Sequence, residues 1–270
     1  MQLLLIFVLL SYCRAFSWNP ATANVSGYID AHRCTGPPAL WCLNPSLSAA
    51  CGTTQACAQY KPEKPVKITL LYESLCPGCH QFLLTQLYGN VFHNFNESDV
   101  TIELVPYGNA QMHGRQIVCQ HGTDECIFNR LESCALHVVP LRPAGFPFIA
   151  CVEQAIFPHG VKTPDPKKVL QTCARFSRLN VKQIRDIQSC FAGPLGEQLQ
   201  VAAAQRTANV WPEKHRWVPW VLVDGLSLAR AQMNAQNLAS LVCEMMMGRK
   251  ALPAVCLGAR DNRRLWHSWK

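Results

Sequence analysis

The sequence predicts a mixed α/β fold with a helical insertion, and three observations carry that prediction. A strand-like run, "VKITLLYES" at 66–74, hands over to a helix-like one through Cys76-Pro77-Gly78-Cys79. A second strand, "VTIELVPYG" at 100–108, leads into a mainly helical stretch from 117 to 208. Strand character returns at 212–225, "PEKHRWVPWVLVDG", before a closing helix. Strands alternating with helical patterns mark layered α/β architectures.

Each element has its own reason. Residues 66–74 are rich in β-branched and large apolar side chains, as a strand buried on both faces requires. "HQFLLTQLYGNVF" puts Leu83, Leu84, Leu87, Tyr88 and Val91 at helical spacing. Pro77 fits just inside that helix start, where its missing N–H has no intrahelical partner to lose. In the insertion, "DECIFNRLESCALHVV" lines up Ile127, Leu131, Cys134, Ala135 and Val138, and "DPKKVLQTCARF" is a shorter helical pattern. Asp224-Gly225 is a hairpin-turn signal, and "NAQNLASLVCEMMMGRK" closes with a helix.

Upstream, Leu3 to Leu10 is an apolar run of signal-peptide size, too short to span a bilayer, and Ala15 and Ser17 permit cleavage nearby. We expect a signal peptide at 1–16, although no basic residue precedes the apolar run. Of the fifteen cysteines this leader holds Cys13, which leaves an even number. In a secreted chain such a count points to disulfides; in a cytosolic one it would point to metal. Asn24-Val25-Ser26 and Asn96-Glu97-Ser98 are glycosylation acceptors, whereas Pro45 disqualifies Asn44. Residues 27–62 crowd Cys34, Cys42, Cys51 and Cys57 into a segment with little core of its own, which cross-links must hold. "KPEKP" at 61–65 reads as a linker, so the main domain is expected at 63–258, followed by a basic tail at 259–270 that also fits a propeptide. The net charge of +8 is scattered outside that tail, which argues against a nucleic-acid partner. No later segment reaches membrane-spanning length, so stable membrane insertion is not expected.

The CxxC carries the chemistry. Thiol–disulfide exchange needs a thiolate, and unpaired N–H groups at a helix N-terminus favour negative charge. Cys76 sits at that end and is the expected nucleophile; Cys79, one turn on, can resolve a mixed disulfide. A zinc ribbon would need a second matching pair, whereas Cys119, Cys126 and Cys134 are seven and eight apart, so no metal is expected. An inert staple stays open as the bland alternative. Val218-Pro219-Trp220 precedes a strand, and thioredoxin-type folds place a substrate-facing cis-proline at such a point. Pro219 is assigned on that resemblance. His80 reads as a thiolate stabiliser or base, or as a plain first-turn polar residue. Glu73 either raises the thiol pKa through its charge or faces solvent.

The stretch "CQHGTDECIFNRLESC" is similar to the signature of the gamma-interferon-inducible lysosomal thiol reductases: Cys-Gln-His-Gly, two residues, Glu-Cys, two residues, Asn, four residues, Cys. Cys119, Gln120, His121, Gly122, Glu125, Cys126, Asn129 and Cys134 meet every fixed position. "LVPYGNAQ", "AQRTANV" and "VPWVLVDG" also resemble family segments, so the likeness covers 66–256. It implies a thioredoxin-like fold, a redox centre at Cys76 and Cys79, glycosylation at Asn96 and Asn24, and lysosomal delivery, with secretion as a further destination. The implied activity is reduction of disulfides in endocytosed proteins at acidic pH, aiding antigen processing. The implied partners are disulfide-containing substrates, a small-thiol reductant and a sorting receptor that reads the glycans, with no cofactor. Under this resemblance the signature cysteines are structural disulfides, with His121 and Asn129 as hydrogen-bonding scaffold. Residues 27–62 resemble a saposin A-type module, which many family members lack. Two rival readings stand beside this one: a secretory-pathway oxidase or isomerase, and a non-catalytic saposin-like lipid-binding or sorting glycoprotein.

Overall fold

The strand that leads into the CxxC, β1 (Val66–Tyr72), is an interior strand of the sheet and is buried along almost its whole length. It runs parallel to β2 (Val100–Pro106), with Val66 opposite Val100 and Tyr72 opposite Pro106. On its other edge it runs antiparallel to β6 (Trp220–Val223), with Leu71 opposite Trp220. The short β5 (Trp211–Pro212) and β7 (Leu226–Ser227) complete the order β2-β1-β6-β7-β5. A strand covered on both faces cannot alternate apolar with polar residues, which is why β1 reads as a continuous apolar run. This computed structural model describes residues 41–42, 45–60, 64–114, 116–157, 163–246 and 251–257. The expected leader at 1–16, Asn24, much of the 27–62 segment and the tail at 259–270 lie outside them.

In chain order the helices begin with α1 (Pro45–Ala50), α2 (Thr54–Gln59) and α3 (Pro77–Phe82), which continues as a π-type turn run over Leu83–Phe92. The insertion comprises α4 (Thr123–Val138), α5 (Phe146–Ile156), α6 (Pro166–Phe176), α7 (Val181–Ala192) and α8 (Pro194–Ala208). After the sheet come α9 (Gln232–Ala235) and α10 (Leu238–Met245). The observed fold is thus α/β and thioredoxin-like with a helical insertion, as expected, with two local departures. Residues 116–118 are not helical, because β3 (Gln111–His113) and β4 (Gln116–Val118) form a separate hairpin. The expected strand at 212–225 pairs only at its ends: prolines donate no ladder hydrogen bond, and a charged run separates Pro212 from Pro219.

Side chains alternate across β1, so the sheet has two cores. Ile68, Leu70 and Tyr72 pack with Leu83, Leu87, Leu131 and Phe148. Leu71 packs on the other face with Val105, Trp220, Leu222 and Ala203 of α8. Asp224 and Gly225 take positive φ values of 47° and 78°, as a two-residue hairpin turn demands. The Asp224 carboxylate accepts from the Lys67 N–H (2.9 Å) and from the Tyr60 hydroxyl (3.0 Å). Trp41, fully buried against Leu226, Leu228 and Ala231, adds an apolar contact between the N-terminal segment and the body.

Disulfides staple the insertion. Cys134–Cys190 joins α4 to α7, Cys151–Cys173 joins α5 to α6, and Cys119–Cys126 closes a loop onto the start of α4. Cys42–Cys57 and Cys243–Cys256 cross-link the two flanks, and Cys51 is also disulfide-bonded. Among the described residues only Cys76 and Cys79 are free thiols.

Candidate active site

The chain leaves β1 at Tyr72, turns through Glu73–Leu75 and enters α3 with Cys76 as N-cap and Pro77 in the first turn. The His80 N–H donates to the Cys76 carbonyl at 3.0 Å, which starts the helix. Cys76 is partly exposed and Cys79 fully buried. The two thiols therefore differ sharply. A hydrogen bond from the Cys79 thiol draws the Cys76 pKa down; burial opposes this, and the Cys79 and Gly78 N–H groups and the His121 charge assist it, so the pKa reaches about 6. Burial pushes the Cys79 thiol far up, and so does its hydrogen bond to Cys76. A single pair thus holds a ready nucleophile and a thiol that keeps its proton.

The Val218–Pro219 peptide is cis, and a Cβ at Gly78 would touch Pro219 Cδ at 3.5 Å and Cys76 Sγ at 4.0 Å. Asn96 is exposed at a turn, its Oδ1 accepting from the Ser98 and Asp99 N–H groups.

The signature also converges on this site. His121 Nδ1 is held by Glu125 Oε2 and lies 3.3 Å from Glu73 Oε2. Burial pulls the His121 pKa down, but the Glu125 hydrogen bond and the charges of Glu125, Glu73 and Cys76 outweigh it and raise the value. Glu73 does not face solvent: it is fully buried, and its Oε1 accepts from the Asn109 N–H at 2.6 Å. Burial and the Glu125 charge lift its pKa to about 7. In acid it is therefore neutral and does not repel a Cys76 thiolate. Gly108, at φ 58°, leaves room for this carboxyl; a Cβ there would sit 2.4 Å from Glu73 Cγ. Asn129, also fully buried, accepts the Ser74 N–H at 3.0 Å and so fixes the turn that delivers Cys76. The ligand atoms of Glu73, His121 and Glu125 lie within 4.8 Å of one another, and among the described residues Glu73 Oε2 receives no hydrogen bond.

His80 turns into the core rather than to solvent. It is buried, its ring stacks on Phe157 with centroids 4.2 Å apart, and Nδ1 lies 3.3 Å from Glu153 Oε2. Burial lowers its pKa, partly offset by Glu153. Sequence reasoning also passed over Glu125 and Glu153 as site residues. Helix positions facing a distant strand leave no local mark, although the signature's fixed Glu125 was a signal for one of them.

An acidified, accessible thiol and a buried partner one turn away, on a thioredoxin-like scaffold, define a thiol–disulfide oxidoreductase. The chain is similar to the "Gamma-interferon-inducible lysosomal thiol reductase" of Carassius auratus, 36% identical over 229 residues that cover 83% of this chain and 84% of that one. It is also similar to the mouse protein of that name, 33% identical over 75% of this chain and 76% of that one. The "Gamma-interferon-responsive lysosomal thiol protein" of Arabidopsis thaliana is 33% identical over 71% of this chain and 75% of its own. Among solved structures it is similar to oxidised BdbD from Bacillus subtilis, with a TM-score of 0.49 and 12% identity over 68% of this chain and 90% of that one. The family model "Gamma interferon inducible lysosomal thiol reductase (GILT)" matches residues 67–177. The chain belongs to the gamma-interferon-inducible lysosomal thiol reductase family.

Proposed function

We propose that Cys76 is the nucleophile of this lysosomal thiol reductase, Cys79 its resolving thiol and Pro219 the platform against which an extended substrate lies. One observation carries the assignment: among the described residues every other cysteine is paired, and these two alone are free, one accessible and one buried. The Cys76 thiolate attacks one sulfur of a substrate disulfide, whose S–S bond breaks as a mixed disulfide forms. The departing sulfur takes up a proton. Cys79 then loses its own proton and attacks Cys76 Sγ; the Cys76–Cys79 disulfide forms and the substrate leaves fully reduced. A small thiol returns the pair to the dithiol. At pH about 5 an ordinary thiol is almost wholly protonated, so the Cys76 environment sets the rate there.

Substrates are disulfide-containing proteins whose reduction exposes them to proteolysis. Asn96, exposed beside β2, is read as the glycan site for lysosomal sorting, with Asn24 as a second acceptor. Residues 63–258 make up the reductase domain, and 27–62 a saposin A-type accessory segment. The test is insulin reduction in acid. Cys76→Ser should abolish it with the fold intact, and Cys79→Ser should accumulate mixed disulfides. Activity retained by Cys76→Ser would remove Cys76 from the reaction.

A further inference from the structure

Behind the two thiols the core contains a chain of ionisable groups that the mechanism above leaves unused. The Tyr72 hydroxyl, on the β1 face that packs with Cys79, donates to Glu132 Oε2 at 2.7 Å. Glu132 of α4 and Glu153 of α5 are both fully buried and are hydrogen-bond partners. Glu153 Oε2 continues to His80 Nδ1 at 3.3 Å. The His80 ring stacks on Phe157, which is 43% exposed. The line therefore runs from the strand beneath Cys79 to the protein surface.

Two fully buried carboxyls are costly to keep when ionised, and among the described residues no Lys or Arg is paired with either. Among the described residues Oε1 of Glu132 and Oε1 of Glu153 each lack a donor, and a proton held between the carboxyls would supply one. Burial raises both pKa values, helped at Glu132 by the neighbouring Glu153 charge and at Glu153 by Cys76. A like-charge pair of this kind holds one proton between them and can take a second. The ionisable groups that act on the pair are Tyr72 from β1, His80 from α3 and the Cys76 thiol.

Cys79 has a proton to lose. Its thiol accepts the Glu73 N–H just past β1, feels the Glu73 charge, is electrostatically coupled to Tyr72, and is followed directly by His80 in the chain. We infer that Glu132 and Glu153, bridged by Tyr72 and His80, form an internal proton path that takes up the proton leaving Cys79 during resolution and returns it to solvent beside Phe157. The balance closes. Cys79 S–H gives its proton to the singly charged pair, its sulfur bonds Cys76 Sγ, and the Cys76–substrate bond breaks. The substrate sulfur leaves with the electron pair, and the pair's extra proton exits through His80. The path rests on the reductase reading above, since it acts only on the second step.

The test loads Cys76 with a chromogenic thiol, as a mixed disulfide with thionitrobenzoate, and follows release of the thiol as Cys79 attacks. Loading and alkylation of Cys76 report the reductase reading alone; release reports the path. Glu153→Gln and Glu132→Gln keep the shape but cannot accept the proton. We expect each to slow release by about a hundredfold, the scale of general acid–base help, and to lose a limb of its pH profile, while Cys76 can still be loaded and alkylated. His80→Phe keeps the stack on Phe157 and should also slow release. It lies at the outer end of the line, so it serves as the test if the core variants fail to fold. Release at the native rate, with an unchanged pH profile, in His80→Phe or in any folded Gln variant would overturn the proposal.

Discussion

Removing the hydrogen bond that Cys79 donates to Cys76 should blunt the nucleophile before any substrate is present. That donor is the largest of the influences holding the Cys76 pKa near 6. A hydrogen bond to a charged group contributes about 1.5–3 kcal/mol, or about 1–2 pH units at 1.36 kcal/mol per unit. Cys76 is partly exposed, so water replaces some of what is lost and the lower figure governs. Cys79→Ala should therefore move the Cys76 pKa to about 7. At pH about 5 the thiolate fraction then falls from roughly a tenth to roughly a hundredth. The pH dependence of iodoacetamide alkylation, with ultraviolet thiolate absorbance as a second readout, measures this directly. Cys79→Ser, whose hydroxyl still donates, should stay close to the native profile. An unchanged profile in Cys79→Ala, or equal losses in the two variants, would refute the reasoning.

Three further outcomes follow from the same geometry. With Cys76 titrating at about 6 and Cys79 protonated throughout, the reduction potential of the pair should fall by about 59 mV per pH unit below that point and about 30 mV above it; a single slope across the range would show that Cys76 does not titrate there. Glu73, held up to about 7 when folded, binds more protons folded than unfolded, so its contribution to stability is full in acid and is lost as pH rises towards about 7. Glu132 and Glu153 act in the same direction, whereas Glu103, held near 2 by Arg206 and Thr69 against burial, weakens the fold only as pH falls towards that value; Glu73→Gln should flatten the loss in thermal unfolding scans between about pH 4.5 and 7. Gly108→Ala should cost about 1–3 kcal/mol and shift the alkylation profile of Cys76, because its Cβ displaces Glu73 and its φ is left-handed.

Much of this was legible in the sequence because it is local. The strand before Cys76, the proline-started helix after it and the Asp224-Gly225 turn each depend on residues within a few positions. The reading of Pro219 as a substrate platform came through resemblance, not from the local pattern of residues. What escaped depends on how distant elements meet. Glu132 carries no local mark of burial, but α4 is enclosed by β2 and by neighbouring helices, so its polar side is buried too. His121 reads as scaffold, yet the loop closed by Cys119 and Cys126 carries it to Glu73, which the spacing of neither segment reveals. The β3–β4 hairpin was missed because its strands are three residues each, too short for periodicity to register.

A protein that breaks other proteins' cystines must also survive its own chemistry and that of the thiols that recharge it. Cys134, Cys173 and Cys190 are sealed in the interior, where no thiolate reaches them without unfolding the insertion. Cys126 is less sheltered, and its bond to Cys119 frames the loop that bears His121. Loss of that bond would slacken the loop and, with it, the imidazole whose charge helps to acidify the working sulfur.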